Sequence, residues 1–116
     1  MITIESLRAY GADVNDGLAR CMNNESFYLR MVNMVLSDAS NFDKLKAAAQ
    51  AGDAKAAFEA AHALKGATGN VSLTPIYRPI CEFSDTLKGH TDQPIPPQCL
   101  SLVDEAIKQY DAARNL

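Results

Sequence analysis

No stretch of the chain approaches the roughly eighteen consecutive apolar residues that a transmembrane helix needs, and the N-terminus lacks a basic segment followed by an apolar run. A membrane protein is therefore not expected, and the cytoplasm is the expected compartment. Positive charge is also scarce. Eleven Lys and Arg stand against fourteen Asp and Glu, for a net charge of −3, and the basic residues are scattered rather than striped. Nucleic-acid binding needs a clustered basic surface, so this balance argues against it. Only three cysteines occur, Cys21, Cys81 and Cys99, widely spaced and without a C-x-x-C pair. They read as free thiols in a reducing compartment, each a small buried hydrophobe. Only two histidines occur, His62 and His90, and neither has a carboxylate or thiol at ligand spacing, so no metal site is expected. There is no P-loop and no glycine-rich phosphate loop after a strand, no internal repeat and no low-complexity segment. Period-two alternation nowhere lasts long enough to suggest a sheet.

What is present is helical periodicity. With 116 residues, 47% of them hydrophobic and 22% charged, the chain has an ordinary globular balance and the length to bury a core without disulfides or metal. Thr3 caps a short helix carrying Ile4, Leu7 and Tyr10, and Gly11 stops it. Asp13 starts a second, from Val14 to Met22, and Asn23-Asn24 mark a turn. From Glu25 to Ala51 an apolar pattern runs as one long helix or, alternatively, as two, since Ser37-Asp38-Ala39-Ser40-Asn41 weakens its middle. Gly52 and Asp53 form a stop-and-start pair before the next helix. Thr74-Pro75 reads as an N-cap followed by proline at the first helical position, and Pro79 suggests a bent or 3₁₀-like start. Thr91 to Pro97 is the longest loop, and Leu100, Val103, Ile107 and Tyr110 carry a last helix. These elements predict an all-α chain: an antiparallel four-helix bundle with one or two short N-terminal helices. Residues 1–116 read as a single domain with a core bundle over about residues 24–115.

One stretch, Glu59 to Val71, organises the rest. At about 100° per residue, Ala57, Ala60, Ala61, Leu64, Ala67, Thr68 and Val71 share one face, and His62 falls opposite. Lys55, Glu59, Gly66 and Gly69 lie beside His62, with Phe58 and Lys65 at its flanks. Imidazole is a competent nucleophile near neutral pH, so an exposed histidine can attack phosphorus without a dedicated base. Lys65, one turn on, can place its ammonium beside phosphoryl oxygens. Gly66 and Gly69 each cost a helix interior about 0.8–1.0 kcal/mol relative to alanine, which the close approach of a partner explains, although Gly69 can instead end the helix. Phe58 offers an apolar contact to a partner unless a neighbouring helix covers it.

His62-Ala63-Leu64-Lys65-Gly66, preceded by the Gly52-Asp53 helix start and followed by Gly69, resembles the phosphoacceptor motif of the histidine-containing phosphotransfer (HPt) family of two-component phosphorelays. Gly11, Asp13, Gly17, Leu18 and Arg20 resemble the short leader of bacterial members, and the likeness covers about residues 10 to 90. Pro79, Ser72, where glycine is common, and Glu59, where a basic residue is frequent, depart from the usual pattern. The resemblance implies that His62 receives a phosphoryl group from a receiver-domain aspartate and passes it to another, with Lys65 stabilising the phosphoryl group. Phe58, Glu59, Gly66 and Gly69 are then the docking surface. It implies response-regulator receiver domains and a hybrid sensor histidine kinase as partners, Mg²⁺ supplied by the receiver, a monomer, and a carrier without autonomous catalytic activity. A helical docking module that is never phosphorylated is the alternative. A small enzyme using His62 as general base is a third reading, but nothing in the sequence builds a pocket around it.

Overall fold

The structure, a computed structural model, describes residues 2–116; Met1, the first residue of the expected domain, lies outside them. The described residues form α-helices and one 3₁₀ turn, with no strand. Two short helices, α1 (Ile4–Tyr10) and α2 (Val14–Arg20), lead into α3 (Glu25–Ser37), α4 (Ser40–Ala51), α5 (Ala54–Asn70) and α6 (Thr74–Leu87). A 3₁₀ turn over Pro97–Cys99 then opens α7 (Leu100–Arg114). α5 packs between α4 and α6, and α7 closes the bundle against α6 and the α3–α4 junction.

Local chemistry sets most boundaries. Thr3 and Ser6 form a reciprocal capping box on α1, and the side chains of Asp13, Asn24 and Asp53 each accept a backbone amide at the starts of α2, α3 and α5. Gly52 ends α4 in the left-handed conformation at φ 72. The long apolar run is broken into two helices. Asp38 Oδ1 accepts from the Ser40 amide at 3.1 Å and from its hydroxyl at 2.7 Å, a local turn that competes with the helix. The orphan Leu36 carbonyl in the last turn of α3 accepts instead from the Tyr110 hydroxyl at 3.0 Å, and the Tyr110 ring stacks on Phe42 with centroids 3.7 Å apart.

The corner between α5 and α6 differs from expectation. The Ser72 amide donates to Gly69 O at 3.2 Å and the Leu73 amide to Thr68 O at 3.0 Å, the pair of bonds that closes a helix through a left-handed residue. That residue is Ser72, at φ 55, so Gly69 is interior to α5 and does not end it. The same turn makes Leu73 the N-cap of α6. Thr74 stands inside the helix, not at its cap, and its hydroxyl donates to Ser72 O at 3.4 Å. Nor is the start of α6 a 3₁₀ turn: the helix is α throughout, and Pro79 is buried within it, leaving the Pro75 carbonyl without its usual donor.

The core draws on every α-helix. Leu7, Val14, Tyr28, Val32, Phe42, Leu45, Leu73, Ile76, Ile80, Phe83 and Leu87 are all nearly inaccessible, and α5 contributes Ala54, Ala57, Ala60, Ala61 and Leu64. Thr68, buried on the same face, satisfies its hydroxyl on Leu64 O at 2.7 Å. Cys21 and Cys99 are buried as small hydrophobes, whereas Cys81 is only half-buried on α6.

The leader is fastened, not draped. Asp13 N donates to Ser72 O at 3.0 Å, the Ser72 hydroxyl donates to Asp16 Oδ2 at 2.5 Å, and the Tyr28 hydroxyl donates to Val71 O at 2.9 Å. Gly17 lets the Tyr28 ring pass: a Cβ there would stand 2.4 Å from Cε1. Gly17→Ala is therefore expected to destabilise the chain by about 1–3 kcal/mol through overpacking, despite alanine's better helix propensity. A urea midpoint equal to that of the parent would show that the ring does not fill this place.

Candidate functional site

The outward face of α5 is nearly bare. His62, Ala63, Glu59 and Gly66 are exposed, with Phe58, Lys65 and Gly69 half-buried at the edges. The Phe58 ring lies against the His62 imidazole, with centroids 6.0 Å apart and planes inclined by 20°. The opposite face of the helix is packed, so the position of His62 is fixed by its buried neighbours Ala61 and Leu64.

Beside the imidazole opens a cavity of about 550 Å³, floored by α5 and walled by α2 and α6. His62, Lys65, Gly66 and Gly69 line it, so the structure brings these four predicted residues together. It separates the other two. Glu59 lines a different cavity, of about 460 Å³, between α5 and α4, and Phe58 touches the imidazole from outside the groove.

The glycines play different parts. A Cβ on Gly66 would meet nothing within 4 Å, so no contact within the chain accounts for glycine there. A Cβ on Gly69 would stand 3.1 Å from Tyr77 Cε2, and the missing side chain makes room for that ring from α6. Lys65 is also engaged: its Nζ lies 3.3 Å from Asp85 Oδ1 on α6, and the hydrogen bond to Asp85 is the main reason its pKa is raised. The ion pair is partly exposed, and such pairs exchange partners at little cost.

The walls hold residues that a helix-by-helix reading misses. From α2 come Asp16 and Arg20, with the cap residue Asp13; from α6 come Tyr77 and Arg78; the corner adds Ser72 and Thr74. Asp16 accepts from Ser72 and from Arg20 Nε at 2.9 Å, and these bonds, the Ser72 one foremost, hold its carboxyl below the usual carboxylate range. Arg78 is exposed and makes no hydrogen bond or ion pair with any described residue. The sequence touches this arrangement at the leader residues Asp13 and Arg20 and at Ser72, which departs from the usual glycine, but nothing in it joins them. The contacts themselves join segments more than fifty residues apart.

Among the described residues no three His, Cys, Asp or Glu side chains gather as a metal site. No described helix is long and apolar enough to cross a membrane. What the groove offers is an exposed nucleophilic imidazole on a flat, small-residue surface, with guanidinium groups on both walls. The family model for the Hpt domain matches residues 30–113, more than half of the chain. No curated protein and no solved structure is matched significantly.

The two glycines can be told apart by experiment. Gly66→Ala is expected to stabilise the free protein by up to about 1 kcal/mol, since it replaces an interior helical glycine in open space. Gly69→Ala should gain less or nothing, because Tyr77 must give way. Equal shifts in thermal midpoint for the two variants would contradict this packing.

Proposed function

The chain belongs to the Hpt domain family, modules of phosphotransfer in two-component signalling, and from that membership we propose that His62 is a phosphorelay acceptor. It takes a phosphoryl group from a receiver-domain aspartate and hands it to, or takes it back from, another receiver. The observation that carries this reading is an exposed imidazole in the middle of a rigid helix with a bare glycine one turn further on. A side chain begun at Gly66 would stand in open space, one turn from the exposed imidazole.

The chemistry is a displacement at phosphorus. A lone pair on an imidazole nitrogen forms the N–P bond as the P–O bond of the acyl phosphate breaks, and the aspartate leaves as carboxylate with the electron pair. The proton on the other ring nitrogen is lost to solvent from the phosphorylated ring. Reverse transfer retraces these steps. Magnesium, which receivers carry, is the partner's contribution, and this chain acts as carrier for receiver domains and a hybrid sensor histidine kinase. Its own residues present the nucleophile, exclude bulk at Gly66, and bring positive charge to the phosphoryl oxygens.

His62→Gln should abolish acid-labile labelling from a phosphorylated receiver while changing stability by no more than about 0.5 kcal/mol, as is usual at an exposed position. Label retained at another residue, or no label on the parent, would sink this reading; binding without any label would favour a docking module.

Lys65 and Asp85 give a second test. Lys65→Ala should slow transfer about tenfold, the scale of one exposed charge interaction on a transition state. Asp85→Asn releases the ammonium from its ion pair, and transfer should be at least as fast as in the parent. Slowing by both variants alike would mean that the ion pair itself, not the free ammonium, is what transfer requires.

A further inference from the structure

Resting on the phosphorelay reading above, we infer that α2 is one wall of the receiver-docking surface, and that Arg20, with Arg78 on the opposite wall, selects an acidic receiver face. α2 lies ahead of the segment matched by the Hpt domain, yet its Asp16 and Arg20 line the same cavity as His62. A receiver that brings its aspartate to His62 over Gly66 arrives at the mouth of that cavity, with α2 as its near wall.

The wall is built to hold its shape. Ser72 is fixed by the backbone bonds of the α5–α6 corner, Asp16 is fixed by Ser72, and Arg20 is oriented by Asp16 through Nε alone. The terminal nitrogens of Arg20 bond to no described residue, which leaves the outer fork of a pre-oriented guanidinium open at the rim. Arg78 faces the groove from α6 with no partner at all among the described residues. The two walls thus present open guanidinium donors on either side of the imidazole.

Charge complementarity names the occupant. A receiver loaded for transfer carries a dianionic phosphoryl group on an aspartate, and its Mg²⁺ offsets that charge only in part once the carboxylates that hold the metal are counted, so the face it offers stays anionic. The whole chain is negative, at −3, and repels such a surface at a distance. Among the groove-lining charges Arg20, Lys65 and Arg78 outnumber Asp13 and Asp16, and Asp16 is occupied by Ser72 and Arg20, so attraction is local to the groove, where it orients the encounter and penalises receivers whose rim is basic. Arg20 is a positioning residue in this scheme, acting on the partner and not on the reacting atoms.

The experiment uses the full chain with two donors: a phosphorylated receiver domain, and phosphoramidate, which needs no docking. With R20E and with R78E, kcat/KM for the receiver should fall at least tenfold more than the labelling rate from phosphoramidate, with the loss in KM. The salt dependence of the receiver reaction should flatten relative to the parent, and R20K should restore most of the rate. Circular dichroism and a thermal melt verify folding, and R20Q, expected to give an intermediate loss, replaces R20E where the reversal prevents folding. Receiver kinetics equal to the parent in both reversals, or a loss equally large with phosphoramidate, overturns the role of α2 while leaving His62 as acceptor. Absence of label on His62 in the parent overturns the phosphorelay reading instead.

Discussion

Ser72 is the point at which the molecule is tied. Its amide closes α5 on Gly69 O, its carbonyl accepts from Asp13 N and from the Thr74 hydroxyl, and its own hydroxyl donates to Asp16. One residue thereby ends the histidine helix, helps begin the next and fastens the leader. The left-handed conformation at φ 55 costs a non-glycine residue about 1–2 kcal/mol, and hydrogen bonds of about 0.5–1.5 kcal/mol each offset it. Glycine would turn this corner more easily, but it has no hydroxyl with which to hold Asp16. Serine trades backbone ease for a connection between the leader and the groove.

Cap chemistry is local, and that is why the helix starts at Thr3, Asp13 and Asp53 could be read from the sequence. The outward direction of His62 was legible for a similar reason: a run of alanines, Leu64 and Thr68 at helical spacing leaves only one side free. The interruption after Ser37 was an open alternative, because composition weakens a helix without saying whether it breaks; Asp38 decides it by capturing Ser40. Thr74 was misplaced because a threonine before a proline looks like a cap, and only the turn at Ser72 shows that the cap is Leu73. The groove was illegible. Gly69 looks like its neighbour Gly66 until Tyr77 of another helix is seen to need the space, and the Asp16–Ser72 bond spans 56 positions.

Charge around the imidazole is sorted by availability and not merely by count. Lys65 is held by Asp85 and Arg20 by one of its nitrogens, while Arg78 is unengaged among the described residues. A surface that must accept an anion and then release it gains from this gradation. Lys65 and Arg20, each with a resident carboxylate nearby, can return to it when the anion leaves, while exposed Arg78 returns to water, and the groove does not become a trap.

The alanines beneath His62 have one more consequence. Ala54, Ala57, Ala60 and Ala61 have no rotamers to freeze, so the buried side of α5 is ordered at little side-chain entropy cost and has little left to rearrange. On the proposed phosphorelay reading, a histidine mounted on such a base would gain or lose a phosphoryl group without a second packing to switch into. Loaded and unloaded forms would then share one shape and differ in local charge, and a partner would discriminate between them by electrostatics at the groove and not by a conformational signal sent through the bundle.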